Sequence, residues 1–343
     1  MLTRKENVLE TVKKGGKPDR LANCYAAFAP IGGDPVFWYV RGNRVRGTNS
    51  YDRWGVYISF PEDQPAAMPI VTTENQVIKD IAVWKSYVKV PDLRANCSEG
   101  WEDARKSKAA ADESGLLSMT IMGTGIFEQL HMLMTFEDCM CNLLEFQDEM
   151  RELIDAVTEY RLEYMKLIVE NLHPDVILSH DDFGSKSSML MSPNTWREFF
   201  KEPYRRLYSY LHENNVLVIH HSDSFCEPIV EDMAETGADV WQGVLPTNNI
   251  EEITKKLDGR MALMGGVDSG IDRADATEEE IRAEARRVLD AYGRLPNFMP
   301  SYTYGGPGTI FPHVEPIISD EIERYNKERF GVWDESLLIT SGV

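Results

Sequence analysis

The 343-residue sequence has no run of eighteen apolar residues, which excludes a hydrophobic membrane-spanning helix. Met1–Gly16 carries charges of both signs and no apolar stretch, so no signal peptide is expected there and a cytoplasmic location is. Cysteine is scarce: Cys24, Cys97, Cys139, Cys141 and Cys226 form an odd, scattered set, unlike a disulfide framework. Cys139 and Cys141 could be half a metal site, but two residues apart on a helix they point to different sides and read as packing cysteines. Base is outnumbered by acid, with 36 Lys and Arg against 56 Asp and Glu and a net charge of −20. That balance argues against a nucleic-acid or anionic-membrane partner, whose phosphates attract basic surfaces. It does not exclude a basic protein partner. No internal repeat and no linker-like segment occurs, so a single domain over 1–343 is expected.

A hydrophobic fraction of 43% suffices for a large core. Short apolar runs alternate with helical patterns along the chain. The strand candidates are Leu21–Phe28, Tyr51–Phe60, Leu116–Met122, Val176–Ser179, Val216–His220, Asp239–Gln242, Met261–Met264 and Asn297–Ser301. Glu149–Leu172 repeats apolar residues at helical spacing, Ser192-Pro193 reads as an N-cap with proline at the first helical position, and Thr277 with Glu280 makes a capping box. An amphipathic stretch, 3–14, precedes the first strand. The late strands are apolar on both faces, as parallel strands covered by helices are. The pattern predicts an α/β fold, a single (β/α)8 TIM-type barrel with an N-terminal helical extension. A doubly wound open sheet is the alternative.

In such a barrel chemistry sits at the carboxyl ends of the strands. Asp52 and Trp54 lie near the second candidate strand, Glu128 and His131 follow the third, and His180-Asp181-Asp182-Phe183-Gly184 follows the fourth. His220-His221-Ser222-Asp223, Gln242-Gly243, Gly265-Gly266-Val267-Asp268 and Tyr302-Thr303-Tyr304 follow later ones. Polar groups at so many equivalent positions are hard to reach by chance. His220 and His221 face opposite ways on an extended chain, so one serves the site and the other packs. Of Asp181 and Asp182, one can simply cap a turn. His221 and Asp223 are two apart and point the same way, a competent pair for a metal or for acid–base work, with Asp182 and Glu128 as completing ligands. Candidate catalytic residues are therefore Asp182, His221, Tyr304 and His131. Candidate substrate contacts are Asp52, Trp54, Phe183, Gln242 and Tyr302, and candidate metal ligands are His221, Asp223, Asp182 and Glu128.

At these residues the sequence resembles the uroporphyrinogen decarboxylase superfamily. The likeness rests on Pro18-Asp19-Arg20, Asp52-Arg53-Trp54-Gly55 and Asp181-Asp182-Phe183-Gly184, the last followed by Ser192-Pro193 and Trp196-Arg197-Glu198-Phe199-Phe200. It continues in His220-His221-Ser222-Asp223 and Met264-Gly265-Gly266-Val267-Asp268. The decarboxylases carry arginines in an N-terminal motif that holds substrate carboxylates. Here the matching region, Cys24-Tyr25-Ala26-Ala27-Phe28, has none. The sequence looks closer to the corrinoid-dependent methyltransferase branch. In its thiol-methylating members a His-x-Cys and a distal Cys bind zinc. Here Asp223 stands at the Cys position, and residues 301–306 contain no Cys.

Carboxylate and imidazole ligands leave zinc a stronger Lewis acid than thiolates do, which suits polarising an ether oxygen. The resemblance therefore implies a methyltransferase of the O-demethylase type. It would move a methyl group from a methylated small molecule, best an aryl methyl ether, to the cobalt of a corrinoid (cobalamin) on a partner protein. That branch has been assigned a zinc motif of Glu, fourteen residues, Glu, twenty residues, His, which Glu137, Glu152 and His173 fit. The helical setting of the two glutamates and the helix-to-strand position of His173 favour the strand-end ligands instead. The alternatives are a decarboxylase of a porphyrinogen or small acid, and a non-catalytic barrel that binds a corrinoid or its carrier.

Overall fold

A computed structural model describes residues 1–343 except 65, 306, 307 and 340–343, so Gly306 lies outside the described residues. The strands are β1 (Phe28–Pro30), β2 (Thr48–Tyr51), β3 (Tyr57–Phe60), β4 (Met68–Pro69), β5 (Leu117–Met122), β6 (Val176–His180), β7 (Leu217–His221), β8 (Val240–Val244), β9 (Ala262–Gly266) and β10 (Phe298–Ser301). Seven of them form one parallel sheet in the order β1-β5-β6-β7-β8-β9-β10. The sheet curls until the backbone N–H of Cys24, just before β1, donates to the carbonyl of Pro300 in β10 at 3.2 Å. This is a TIM-type barrel, with helices such as Glu102–Glu113, Gln147–Asn171, Glu202–Glu213, Glu278–Tyr292 and Val314–Phe330 between and after its strands. Every residue of β8 and β9 is buried, which explains runs without polar alternation.

The sequence signals for helix starts act as expected. The Ser192 side chain accepts from Thr195 N at 3.0 Å with Pro193 in the first turn, and the Thr277–Glu280 capping box is closed in both directions. The N-terminal extension is the helix Arg4–Val12, capped by a Thr3–Glu6 box. Asn297 donates to Thr11 O at 2.7 Å, and Lys5 pairs with Asp175 at 2.9 Å. Asn297 and Asp175 immediately precede β10 and β6, so this helix lies across the amino ends of the strands.

Two expected strands differ. Tyr51–Phe60 is not a barrel strand: Asp52-Arg53-Trp54-Gly55 breaks the run into a turn. Asp52 Oδ1 accepts from Trp54 N and Val56 N, each at 2.9 Å, and Gly55 sits at φ 85°, which favours glycine. β2 and β3 therefore pair antiparallel, Tyr51 opposite Tyr57, in a separate three-stranded sheet with β4. Leu21–Phe28 is a turn-rich segment that becomes strand only at Phe28, and Leu21 N is bound by the Asn326 side chain instead. Of the paired cysteines, Cys139 is buried and Cys141 exposed, and all five thiols are free.

Candidate metal centre

β6 and β7 pair in parallel with His180 opposite His221, each the last residue of its strand. Equal register puts both rings on one face, stacked with centroids 4.4 Å apart. Alternation sends His220 to the other face. There its Nδ1 meets the Tyr208 hydroxyl at 2.6 Å and its ring stacks on Phe183. Burial lowers the His220 pKa to about 3, so it is a neutral packing histidine.

Each inward ring is held at Nδ1 by a side-chain oxygen, which can only accept. Glu128 Oε2 lies 3.0 Å from His180 Nδ1. Gln242 Oε1 bonds His221 Nδ1, while its Nε2 donates to the carbonyls of Tyr302 at 3.2 Å and Tyr304 at 3.3 Å. Those carbonyls fix which way the amide points, so the tautomer follows: Nδ1 carries hydrogen and Nε2 faces inward. His180 Nε2 lies 4.0 Å from Asp182 Oδ2. One ligand atom from each of His180, Asp182 and His221 lies within 4.8 Å of the others. Among the described residues this is the one group of three or more His, Cys, Asp or Glu able to hold a metal ion.

Backbone geometry serves this cluster at two glycines. Gly243 (φ 98°) lies where a Cβ would come 2.8 Å from Ser222 O, and the adjoining register shift between β8 and β9 falls at Gln242/Val244. At Gly125 a Cβ would lie 2.0 Å from Asp181 Cγ. The space lets Asp181 accept from Phe127 N at 2.9 Å and Glu128 N at 3.0 Å, at the start of the helix Ile126–Leu133, and from the Tyr204 hydroxyl. Asp181 is thus the capping member of the Asp181-Asp182 pair, and it fixes the helix that carries Glu128.

The electrostatics favour a cation. Burial opposes ionisation of Asp182 and Asp223 and raises both pKa values, and Asp182 pushes Asp223 further. Burial also opposes charge on Glu128 and His180, but each partner outweighs it, lowering the first and raising the second. Burial and the neighbouring His180 lower His221. Without metal, the positive charge that Glu128 favours on His180 offsets part of this acidic cluster; a divalent cation would do so in its place. The donor set, two imidazoles and a carboxylate with Nδ1 of each ring anchored, suits zinc.

The other expected site residues fall as follows. Asp223 N donates to Asp182 Oδ1 at 3.0 Å, and the Asp223 carboxylate stands outside the convergent trio. Glu128 and Gln242 position the rings. His131 lies one turn beyond Glu128, between the rings of Phe127 and Phe136, and burial lowers its pKa. Phe183 and Trp54 are core residues, the first against Trp196, Phe200 and Tyr204, the second against Tyr160. Tyr302 is buried beside Tyr25, and Tyr304 is exposed. Glu152 pairs with Lys85, and Glu137 and His173 are exposed, so that spacing motif makes no cluster. His180 is the residue sequence reasoning passed over. Its signal was its place at a strand end beside the strand ending in His221.

The barrel and its strand-end His-Asp-His cluster define the class: a TIM-type barrel with its polar centre at the carboxyl ends of the strands. Residues 54–306 match the uroporphyrinogen decarboxylase (URO-D) family, and the chain belongs to that family. The uroporphyrinogen decarboxylase of Burkholderia thailandensis is 37% identical over 99 residues, 29% of this chain and 26% of that protein. That of Burkholderia mallei is 36% identical over the same span. The chain thus matches about a quarter of the length of these curated relatives. A methyltransferase from Methanosarcina mazei shares the fold over 96% of this chain and 99% of its own, with TM-score 0.67 and 18% identity. Among the described residues no helix is long and apolar enough to cross a membrane.

Proposed function

We propose that the protein is a corrinoid-dependent methyltransferase that holds zinc through His180, Asp182 and His221. The observation that carries this reading is the convergence of two Nδ1-anchored imidazoles with a carboxylate. Bound zinc would supply Lewis acidity toward the leaving oxygen of a methyl donor, an aryl methyl ether in the best reading. The chain's own residues do the rest. Glu128 and Gln242 fix the two rings, Asp181 fixes the helix bearing Glu128, and Asp223 N–H orients the Asp182 carboxylate. The methyl acceptor is a cobalt(I) corrinoid on a partner protein, docked over the strand-end mouth, so no protein nucleophile is needed. The local identity to uroporphyrinogen decarboxylases favours a second reading, decarboxylation of a porphyrinogen or small acid.

The deciding experiment supplies zinc-loaded protein with cobalt(I) cobalamin and a panel of methyl donors. Methylcobalamin should form with at least one donor, and fail to form with a folded His221→Ala variant. Loss of a carboxyl group from a porphyrinogen, with no methylcobalamin from any donor, would establish the second reading.

A further inference from the structure

Beside the carboxyl end of β5, where Gly123 and Thr124 follow the strand, lies a pocket of about 190 Å³. Its walls include Phe37, Arg41 and Arg44, Gln129, Tyr160 and Arg161. None of the metal-capable trio lines it. Arg161 bonds Ser179 Oγ at 2.9 Å, and Ser179 precedes His180 on β6, so alternation places this pocket's wall on the opposite face of the strand from the cluster.

Its charges are unusual for so acidic a chain. Arg41, Arg44 and Arg161 form no ion pair among the described residues, and Nε of each is buried without a hydrogen-bond partner, as is Gln129 Nε2. The pocket's one carboxylate, Asp52, accepts from backbone N–H groups of its own turn; burial raises its pKa to about 6 although the charge of Arg44 opposes that rise, and the two form no ion pair. Buried donors without acceptors are costly, and guanidinium groups match carboxylates well. With a net charge of −20 the molecule as a whole repels anions, so any attraction for one is local to this pocket. The aromatic walls add an apolar surface.

We infer that this pocket is a binding site for a small carboxylate with an apolar body, its charge met by Arg41, Arg44 and Gln129 and its body by Phe37, Val40 and Tyr160. Its lining contains none of His180, Asp182 and His221, and the inference does not rest on the methyl-transfer reading.

Calorimetric titration with benzoate tests it, with benzamide and inorganic phosphate as comparison probes. Benzoate should bind at least about tenfold more tightly than either comparison probe, since one charge-assisted hydrogen bond is worth that much. Arg41→Gln and Arg44→Gln should each weaken benzoate binding by about tenfold with the melting temperature retained. Val40→Asp, which puts a negative charge at the partly exposed wall, should abolish binding, and it keeps the test open where an arginine variant fails to fold. His221→Ala should leave binding unchanged. Equal binding of benzamide or phosphate, unchanged binding in all three pocket variants, or loss of binding in His221→Ala would overturn the site.

Discussion

Gln242 shows how a single buried side chain sets the chemistry of another. Its amide is aimed by the Tyr302 and Tyr304 carbonyls, and its oxygen then dictates which nitrogen of His221 carries hydrogen. Gln242→Leu should keep the fold and weaken zinc binding by about ten- to a hundredfold, the usual cost of losing an outer partner. Competition with a zinc-binding dye measures this; unchanged affinity would remove Gln242 from the centre. Gly125 acts through space alone, because its φ of −68° suits any residue. Gly125→Ala should cost about 2–4 kcal/mol of stability in denaturant unfolding, since the new Cβ overlaps the Asp181 carboxylate. At this scale the sequence was partly legible. Strict alternation separated His221 from His220. The same rule could not show that His180 stands level with His221, because register between strands is a property of the sheet. Nor could it tell that Gln242, read as a substrate contact, would turn to His221.

At the scale of elements, the helices read best, because Ser192 and Thr277 are local signals that need no partner. The strands of the second half read well because burial on both faces leaves continuous apolar runs. Tyr51–Phe60 misled because an apolar, aromatic run looks the same in a barrel strand and a hairpin. The decisive feature was the turn bound by Asp52. The helix Glu202–Glu213 carries a pH-sensitive tie to the sheet. His212 Nε2 meets Asp239 Oδ2 at 2.9 Å, and the same oxygen accepts from Val218 N at 2.7 Å. The bond to Asp239 raises the His212 pKa above its ordinary 6.5. A raised histidine stabilises the fold fully below its unfolded value and loses that contribution as pH rises through the folded one. His212 is nearly half exposed, so the contribution is about 0.5 kcal/mol. Thermal melts of wild type and His212→Gln should differ most at pH 5.5, below the ordinary value, and approach each other as pH rises through the raised one. A difference that grows with pH would show that the pair is not the cause.

For the whole molecule, the division of the barrel into two ends organises the account. The helix Arg4–Val12 crosses the amino ends through Lys5–Asp175 and Asn297–Thr11, while the polar groups gather at the carboxyl ends. The fold class was legible because alternation of strands and helices is a global rhythm that survives errors in single elements. The candidate metal centre was legible as a location but not as a ligand set, since His180, Asp182 and His221, which could hold an ion, come from two strand ends and the loop between. Two ligand sets therefore compete across the molecule: this trio, and the spaced residues Glu137, Glu152 and His173. Zinc content per chain, measured by mass spectrometry after stripping with chelator, reloading and dialysis, separates them directly. Wild type and His173→Ala should each retain one equivalent of zinc, and His221→Ala close to none, for a single three-residue site. Full zinc in His221→Ala, or its loss in His173→Ala, would contradict a strand-end centre.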